Sequence, residues 1–260
     1  MKRTISILPE DIPQPLRGFA ADATVYDSSC SPDARVYFLD KGDGFYLKKA
    51  AKGALQNEAA MYGYFHSKGL APEVLAYESL ENDFLLTARA KGEDCTDPLY
   101  LSDPKRLCDT TAELLRKLHE TDFAGCPVAN RTQDYLATVE NNYRLGHYDT
   151  SLFPDNWGYA NADAAFGVVQ ENSRYLKADT LLHGDYCLPN IMLDNWRFSS
   201  FIDLSCGGVG DRHIDLFWGI WTLEFNLKTD QFADRFLDAY GRDNINADTF
   251  PVIAACEVFG

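Results

Sequence analysis

Up to Ala90 apolar and polar positions mostly alternate, the period-two signature of half-buried strands, with one interruption of helical spacing. "ATVYD" and "RVYFLD" flank the turn-rich "SSCSPDA", and "KGDG" leads into "GFYLKK". The stretch "GALQNEAAMYGYFHSKG" carries helical spacing and stops at Gly69 with Pro72 just beyond, a C-terminal helix signal. "EVLAYESL" and "FLLTARA", joined at Glu81-Asn82-Asp83, read as a further hairpin. After "KGEDCTDP" the pattern changes. Ser102 and Asp103 precede Pro104, and Leu107, Thr111, Leu114, Leu115 and Leu118 make the apolar stripe of a helix ending near His119. His119 needs no chemistry on this reading, because a cation in the last turn suits the helix dipole. Residues 130–180 are polar, aromatic and mostly helical by pattern. "LLHGDYCLPNIML" reads as a hairpin, "FSSFIDL" as a following arm, and the chain from "RHIDLFWGIWTLEF" onward as helical again. The expected class is α+β and bilobal: a small antiparallel-sheet lobe over 1–88, a connector at 89–93, and a mainly helical lobe over 94–260.

Composition narrows the function classes. The 260 residues are 46% hydrophobic and 13% aromatic, enough to bury a sizeable core. No run suffices to cross a bilayer, and the apolar patch in "MKRTISILPED" is too short for a signal peptide. The seven cysteines stand singly with no CxxC pair, which fits small buried side chains in a reducing cytoplasm rather than a disulfide framework or zinc site. Lys plus Arg is 24 against 39 for Asp plus Glu, a formal net charge of −15. Such a field repels nucleic acid and draws in a small polycation. No nucleic-acid or membrane partner is expected, and a monomer is the default state.

The chemistry concentrates in one segment. "LLHGDYCLPNIML" sets His183, Asp185 and Asn190 between apolar runs, and "FSSFIDL" delivers Asp203 just past its own apolar stretch. Antiparallel pairing of "NIML" with "SFIDL" would bring Asn190 and Asp203 together as oxygen ligands for Mg2+, which takes one or two protein oxygens beside waters and phosphates. Asp185 is then left to accept a proton, and His183 is expected to organise the loop through backbone hydrogen bonds. A rival reading takes His183-Gly-Asp185 and His213-Ile-Asp215 as metallohydrolase ligands, but leaves Asn190, Lys48 and Glu58 unexplained. Asp211 and Asp215 are expected instead to cap or brace the helix "RHIDLFWGIW".

"HGDYCLPN" followed by "FIDL" resembles the catalytic and metal-binding segments of the aminoglycoside phosphotransferases, bacterial antibiotic-resistance enzymes with a protein-kinase-like fold. "SPDARVYFLDKGDGFYLK" is similar to their nucleotide-loop hairpin, "LQNEAA" to their first helix, "FIDLSCGGVGDRHIDL" to the segment after the metal aspartate, and "CEVFG" to their C-terminal end. The likeness is strongest to the 3′-phosphotransferases. It implies transfer of the γ-phosphate of ATP, with GTP as an option, to an aminoglycoside hydroxyl, the 3′-OH, conferring resistance. A kinase of another small alcohol (choline, homoserine or a sugar) on the same scaffold is the alternative, and a non-catalytic nucleotide-binding protein a further one.

The residues bear on this resemblance directly. Strand alternation puts Tyr46 and Lys48 on one face, Lys48 to reach nucleotide phosphates and Tyr46 to stack on adenine. Glu58 shares an apolar stripe with Leu55, Tyr62 and Phe65, and a carboxylate there needs a partner; Lys48 is the expected one. The resemblance implies that Ser31 and its loop cover the phosphates and that backbone groups of Ala88 and Ala90 meet the adenine edge. It further implies that Asp155 and Glu257 bind substrate ammonium groups and that Phe259 and the Gly260 carboxylate close the pocket. Ser205, Cys206, Trp221, Leu223 and Gly158 depart from residues common in relatives.

Overall fold

The computed structural model describes residues 3–5, 11–148 and 158–260. The chain divides into two compact units, residues 1–93 with 192–205, and residues 94–191 with 206–260. Residues 192–205, which a linear reading places in the second lobe, thus cluster with the first unit.

The first unit is built on a six-stranded antiparallel sheet. Its strands are β1 (Arg3–Thr4), β2 (Thr24–Asp27), β3 (Ala34–Asp40), β4 (Phe45–Ala51), β5 (Val74–Ser79) and β6 (Asn82–Ala88), in the order β1-β2-β3-β4-β6-β5. A short helix α1 (Arg17–Ala20) precedes β2, and α2 (Gln56–Ser67) follows β4. Val25, Leu39, Leu47, Phe84 and Leu86 pack with Ile12 and Leu16 into one apolar cluster. Alternation along β4 buries Leu47, while Tyr46 and Lys48 register against Phe38 and Val36 of β3. The start of α2 is pinned by Asp83, fully buried, whose Oδ2 accepts from the Leu55 amide at 3.0 Å and the Tyr77 hydroxyl at 2.9 Å. Burial pushes its carboxyl up, but the bonds from Ser79, the Gly53 and Leu55 amides and Tyr77 hold it down at about 2. At the connector Gly92 has φ 81, and a β-carbon there would lie 2.0 Å from the Leu193 carbonyl oxygen. Only glycine fits.

A two-residue strand β7 (Glu93–Asp94) falls where the chain passes into the second unit. There follow α3 (Pro98–Leu101), α4 (Pro104–His119), α5 (Arg131–Leu145) and α6 (Ala162–Asn172). Asp103 caps α4 by accepting the Arg106 amide at 3.2 Å, as its place before Pro104 predicts. Strand β8 (Thr180–Leu182) corrects the sequence reading. Its partner is not "NIML" but β11 (Gly208–Gly210), in antiparallel register with Leu181 opposite Val209. "NIML" forms β9 (Ile191–Asp194), which pairs with β10 (Arg197–Phe201) as expected. The turn residues Asn195 and Trp196 both have positive φ, 50° and 68°, which suits a two-residue hairpin of right-handed twist. Helices α7 (His213–Leu227), α8 (Ala233–Tyr240) and α9 (Thr249–Glu257) complete the unit. Its core joins Tyr135 and Val139 of α5, Ala165 and Val169 of α6, Ile214 of α7, and Ile253 and Phe259 at the C-terminus.

Candidate active site

In the first unit Lys48 is the hub. Its ammonium lies 2.9 Å from Glu58 Oε1 and Oε2 and 3.1 Å from Asp203 Oδ1. Glu58 is 2% exposed, and burial raises its carboxyl pKa while Lys48 pulls it back. Burial also works against the charged lysine, but the carboxylates of Asp203 and Glu58 outweigh it and its pKa is raised. The pair anticipated from the apolar stripe therefore forms, with the lysine charged and the acid sealed beneath it. Asp203 takes a left-handed backbone, φ 58, and its amide donates to the Tyr62 hydroxyl at 2.9 Å.

The remaining first-unit candidates lie on the same sheet or its loops. Tyr46 is half-buried with its ring centroid 5.1 Å from that of Phe38. Ser31 is exposed; its hydroxyl donates to Asp33 Oδ2 at 3.3 Å and accepts the Asp33 amide at 3.1 Å. The Ser29 amide goes to Asp27 Oδ1 at 3.0 Å, so part of the loop's backbone expected to cover phosphates is already engaged within the loop. Ala90 is buried. The Ala88 amide donates to the Glu73 carbonyl at 2.9 Å, which leaves its own carbonyl as the backbone group for the expected adenine contact.

In the second unit the loop after β8 is held by Asp215 of α7. One carboxylate oxygen accepts the Gly184 amide at 2.7 Å, and the other the His183 amide at 2.8 Å. His119 Nε2 lies 3.1 Å from the latter, and its Nδ1 is 2.8 Å from the Tyr240 hydroxyl. His119 is buried, and burial lowers its pKa more than Asp215 raises it, so the ring is neutral. The helix-dipole reading of His119 is therefore wrong. It stands four residues after Leu115 on the apolar stripe, a sequence signal that could have shown it facing inward. His183 organises the loop as expected: its Nδ1 accepts the Asp185 amide at 3.3 Å. Asn190 then donates its Nδ2 to the Asp185 backbone carbonyl at 3.0 Å and to Asp185 Oδ2 at 2.8 Å. Gly184 has φ 84, and a β-carbon would sit 1.8 Å from the Cys206 carbonyl oxygen. Asp211 caps the start of α7 by accepting the His213 amide at 3.0 Å.

Asp203 of the first unit and Asn190 of the second, each taken by itself, carry oxygens of the kind magnesium takes. Asp203 offers carboxylate oxygen on a side chain 47% exposed, and the Asn190 amide nitrogen, committed to Asp185, turns its Oδ1 away from that carboxylate. Hard oxygens are what this ion takes.

The residues expected at the acceptor pocket are held in different surroundings. Glu257 accepts from the Tyr135 hydroxyl at 2.7 Å and from Trp218 Nε1 at 3.1 Å. Burial pushes its carboxyl up to about 7 against those two bonds, and the charge of Asp185 adds to the rise. Phe259 is a correction. It is 2% exposed and packs edge-on against Tyr143, Tyr148 and Phe166, so it belongs to the core and does not close a pocket. Leu223, 1% exposed, is likewise core. Gly260 is exposed, and Asp155 lies outside the described residues. Trp221 stacks on Phe225 at 5.0 Å and meets Trp218 edge-on at 5.2 Å. Tyr62, Tyr135 and Trp218 were not anticipated in any of these roles, because an aromatic on an apolar stripe looks the same whether or not its polar tip is used.

Comparison with known proteins follows the same lines. Residues 31–254 match the model of the phosphotransferase enzyme family. The chain is 49% identical over 252 residues to a probable aminoglycoside 3′-phosphotransferase of Lactococcus lactis, covering 96% of each. Among solved structures it is similar to an aminoglycoside 3′-phosphotransferase of type VIII, with a TM-score of 0.75, 23% identity, and coverage of 94% of this chain and 97% of that one. An aminoglycoside phosphotransferase of Streptomyces rimosus, solved with ADP and streptomycin, gives 0.76 at 19% identity, covering 94% and 95%.

Proposed function

The chain belongs to the phosphotransferase enzyme family, and from that premise we propose that it transfers the γ-phosphate of ATP to the 3′-hydroxyl of an aminoglycoside antibiotic, conferring resistance. The observation that carries this reading is Lys48, a charged lysine seated on a buried Glu58 and facing Asp203. In that role Lys48 grips the nucleotide phosphates. Asn190 and Asp203 would hold magnesium, which when bound neutralises charge on those phosphates. Asp185, its rotamer fixed by Asn190, orients the acceptor hydroxyl. The acceptor oxygen bonds to the γ-phosphorus, the bond to the bridging oxygen of ADP breaks, and the hydroxyl proton passes to Asp185. The transition state of such transfers is loose, so positioning and charge count for more than the basicity of Asp185. A net charge of −15 and Glu257 beside Trp218 favour an acceptor bearing ammonium groups.

An assay coupled to ADP release, run over kanamycin, neomycin, choline and homoserine, tests the reading. Turnover is expected with the two antibiotics and not with the other two. Turnover confined to choline or homoserine would replace the acceptor class while leaving the phosphotransferase assignment in place.

A further inference from the structure

Asp203 is tied twice to a single turn of α2. Its Oδ1 lies 3.1 Å from Lys48 Nζ, and Lys48 is seated on Glu58. Its backbone amide donates at 2.9 Å to the hydroxyl of Tyr62, which follows Glu58 by four residues and so stands one turn further along the same helix face. At φ 58 Asp203 holds a left-handed conformation that a side chain disfavours and that persists only where its surroundings impose it. Tyr62 is buried, and burial drives its phenol far above the usual range, so the hydroxyl stays neutral and protonated. A phenylalanine would fill the same space and leave the Asp203 amide without this acceptor.

We propose that Tyr62 is a positioning residue whose hydroxyl fixes the backbone of Asp203 so that its carboxylate is presented to a divalent cation. This rests on the magnesium–nucleotide reading above. The full-length protein and Tyr62→Phe are compared by calorimetric ATP binding at a series of magnesium concentrations, by ATP binding without metal, and by amide hydrogen exchange at Asp203. In the variant the magnesium concentration giving half-maximal ATP binding should rise about threefold to tenfold, the range for one neutral hydrogen bond. The Asp203 amide should exchange faster by a similar factor, with metal-free ATP affinity unchanged. Equal magnesium dependence and equal exchange in the two proteins overturn the proposal. So does a loss of ATP affinity of the same size with and without metal, the mark of a merely structural hydroxyl. Wild-type protein that binds ATP no better with magnesium than without it overturns the underlying reading, and this shows before the variant is measured.

Discussion

In the first unit Lys48 and Asp203 keep 20% and 47% of their side-chain surface exposed, whereas in the second His119 and Asp215 keep 1% and 0%. The first arrangement is ionic, open to water and able to exchange partners when a phosphate or cation arrives. The second is a sealed network around a neutral histidine, with two backbone amides fixed on one carboxylate. A phosphotransferase needs both kinds. The groups that meet a charged ligand must trade one counter-ion for another, while the base must not move. Salt should therefore screen the open half and leave the sealed half untouched.

Four substitutions or conditions probe that contrast, the largest effect first. Asp185→Ala should lower turnover by about 10²–10⁴-fold or more, with ATP affinity nearly unchanged, measured by steady-state kinetics and calorimetry. Survival of turnover within about tenfold would remove Asp185 from the role of base. Asp215→Ala strips the buried His183 amide, the half-buried Gly184 amide and the buried His119 ring of their acceptor and should cost about 3 kcal/mol or more in urea unfolding, since each orphaned buried group costs about 1–3 kcal/mol. Glu58→Gln should instead spare stability in comparison and weaken ATP binding by about tenfold, because Lys48 keeps Asp203 as a partner but loses the acid that aims it. Equal stability losses for the two variants would erase the distinction between an open and a sealed half.

The smallest effect is one of pH. With its carboxyl pushed up to about 7, Glu257 is protonated below that value and charged above it. Binding of an ammonium-bearing acceptor should tighten severalfold as pH rises through that point, and KM measured across the range reads it. Glu257→Gln should flatten the profile; an unchanged profile would place the titrating group elsewhere.

How much of this was legible in the sequence depended on distance along the chain. Lys48 with Glu58 could be matched because ten residues separate them and the strand and helix periods set their faces, whereas the bond from Asn190 to Asp185 was not legible, because the hairpin pattern matches Asn190 with Asp203 instead. The β9–β10 hairpin was legible for the same reason as the Lys48–Glu58 pair. Strand β8 was not: an apolar run shows that a strand is buried but not which strand it meets, and its partner, β11, lies beyond the whole hairpin. His119 and Phe259 failed differently. A histidine at a helix end and an aromatic near a terminus have solvated, familiar explanations; the place of His119 on the apolar stripe argues against its own, whereas only packing shows that Phe259 faces inward.

Gly92 has a consequence far from any chemistry. With φ 81 and a neighbouring carbonyl oxygen 2.0 Å from where a methyl would go, even alanine would force the strand carrying Leu193 out of register. In a saturation library selected for growth on kanamycin, codon 92 should come back as glycine alone, as intolerant as codon 185 although glycine brings no reacting group.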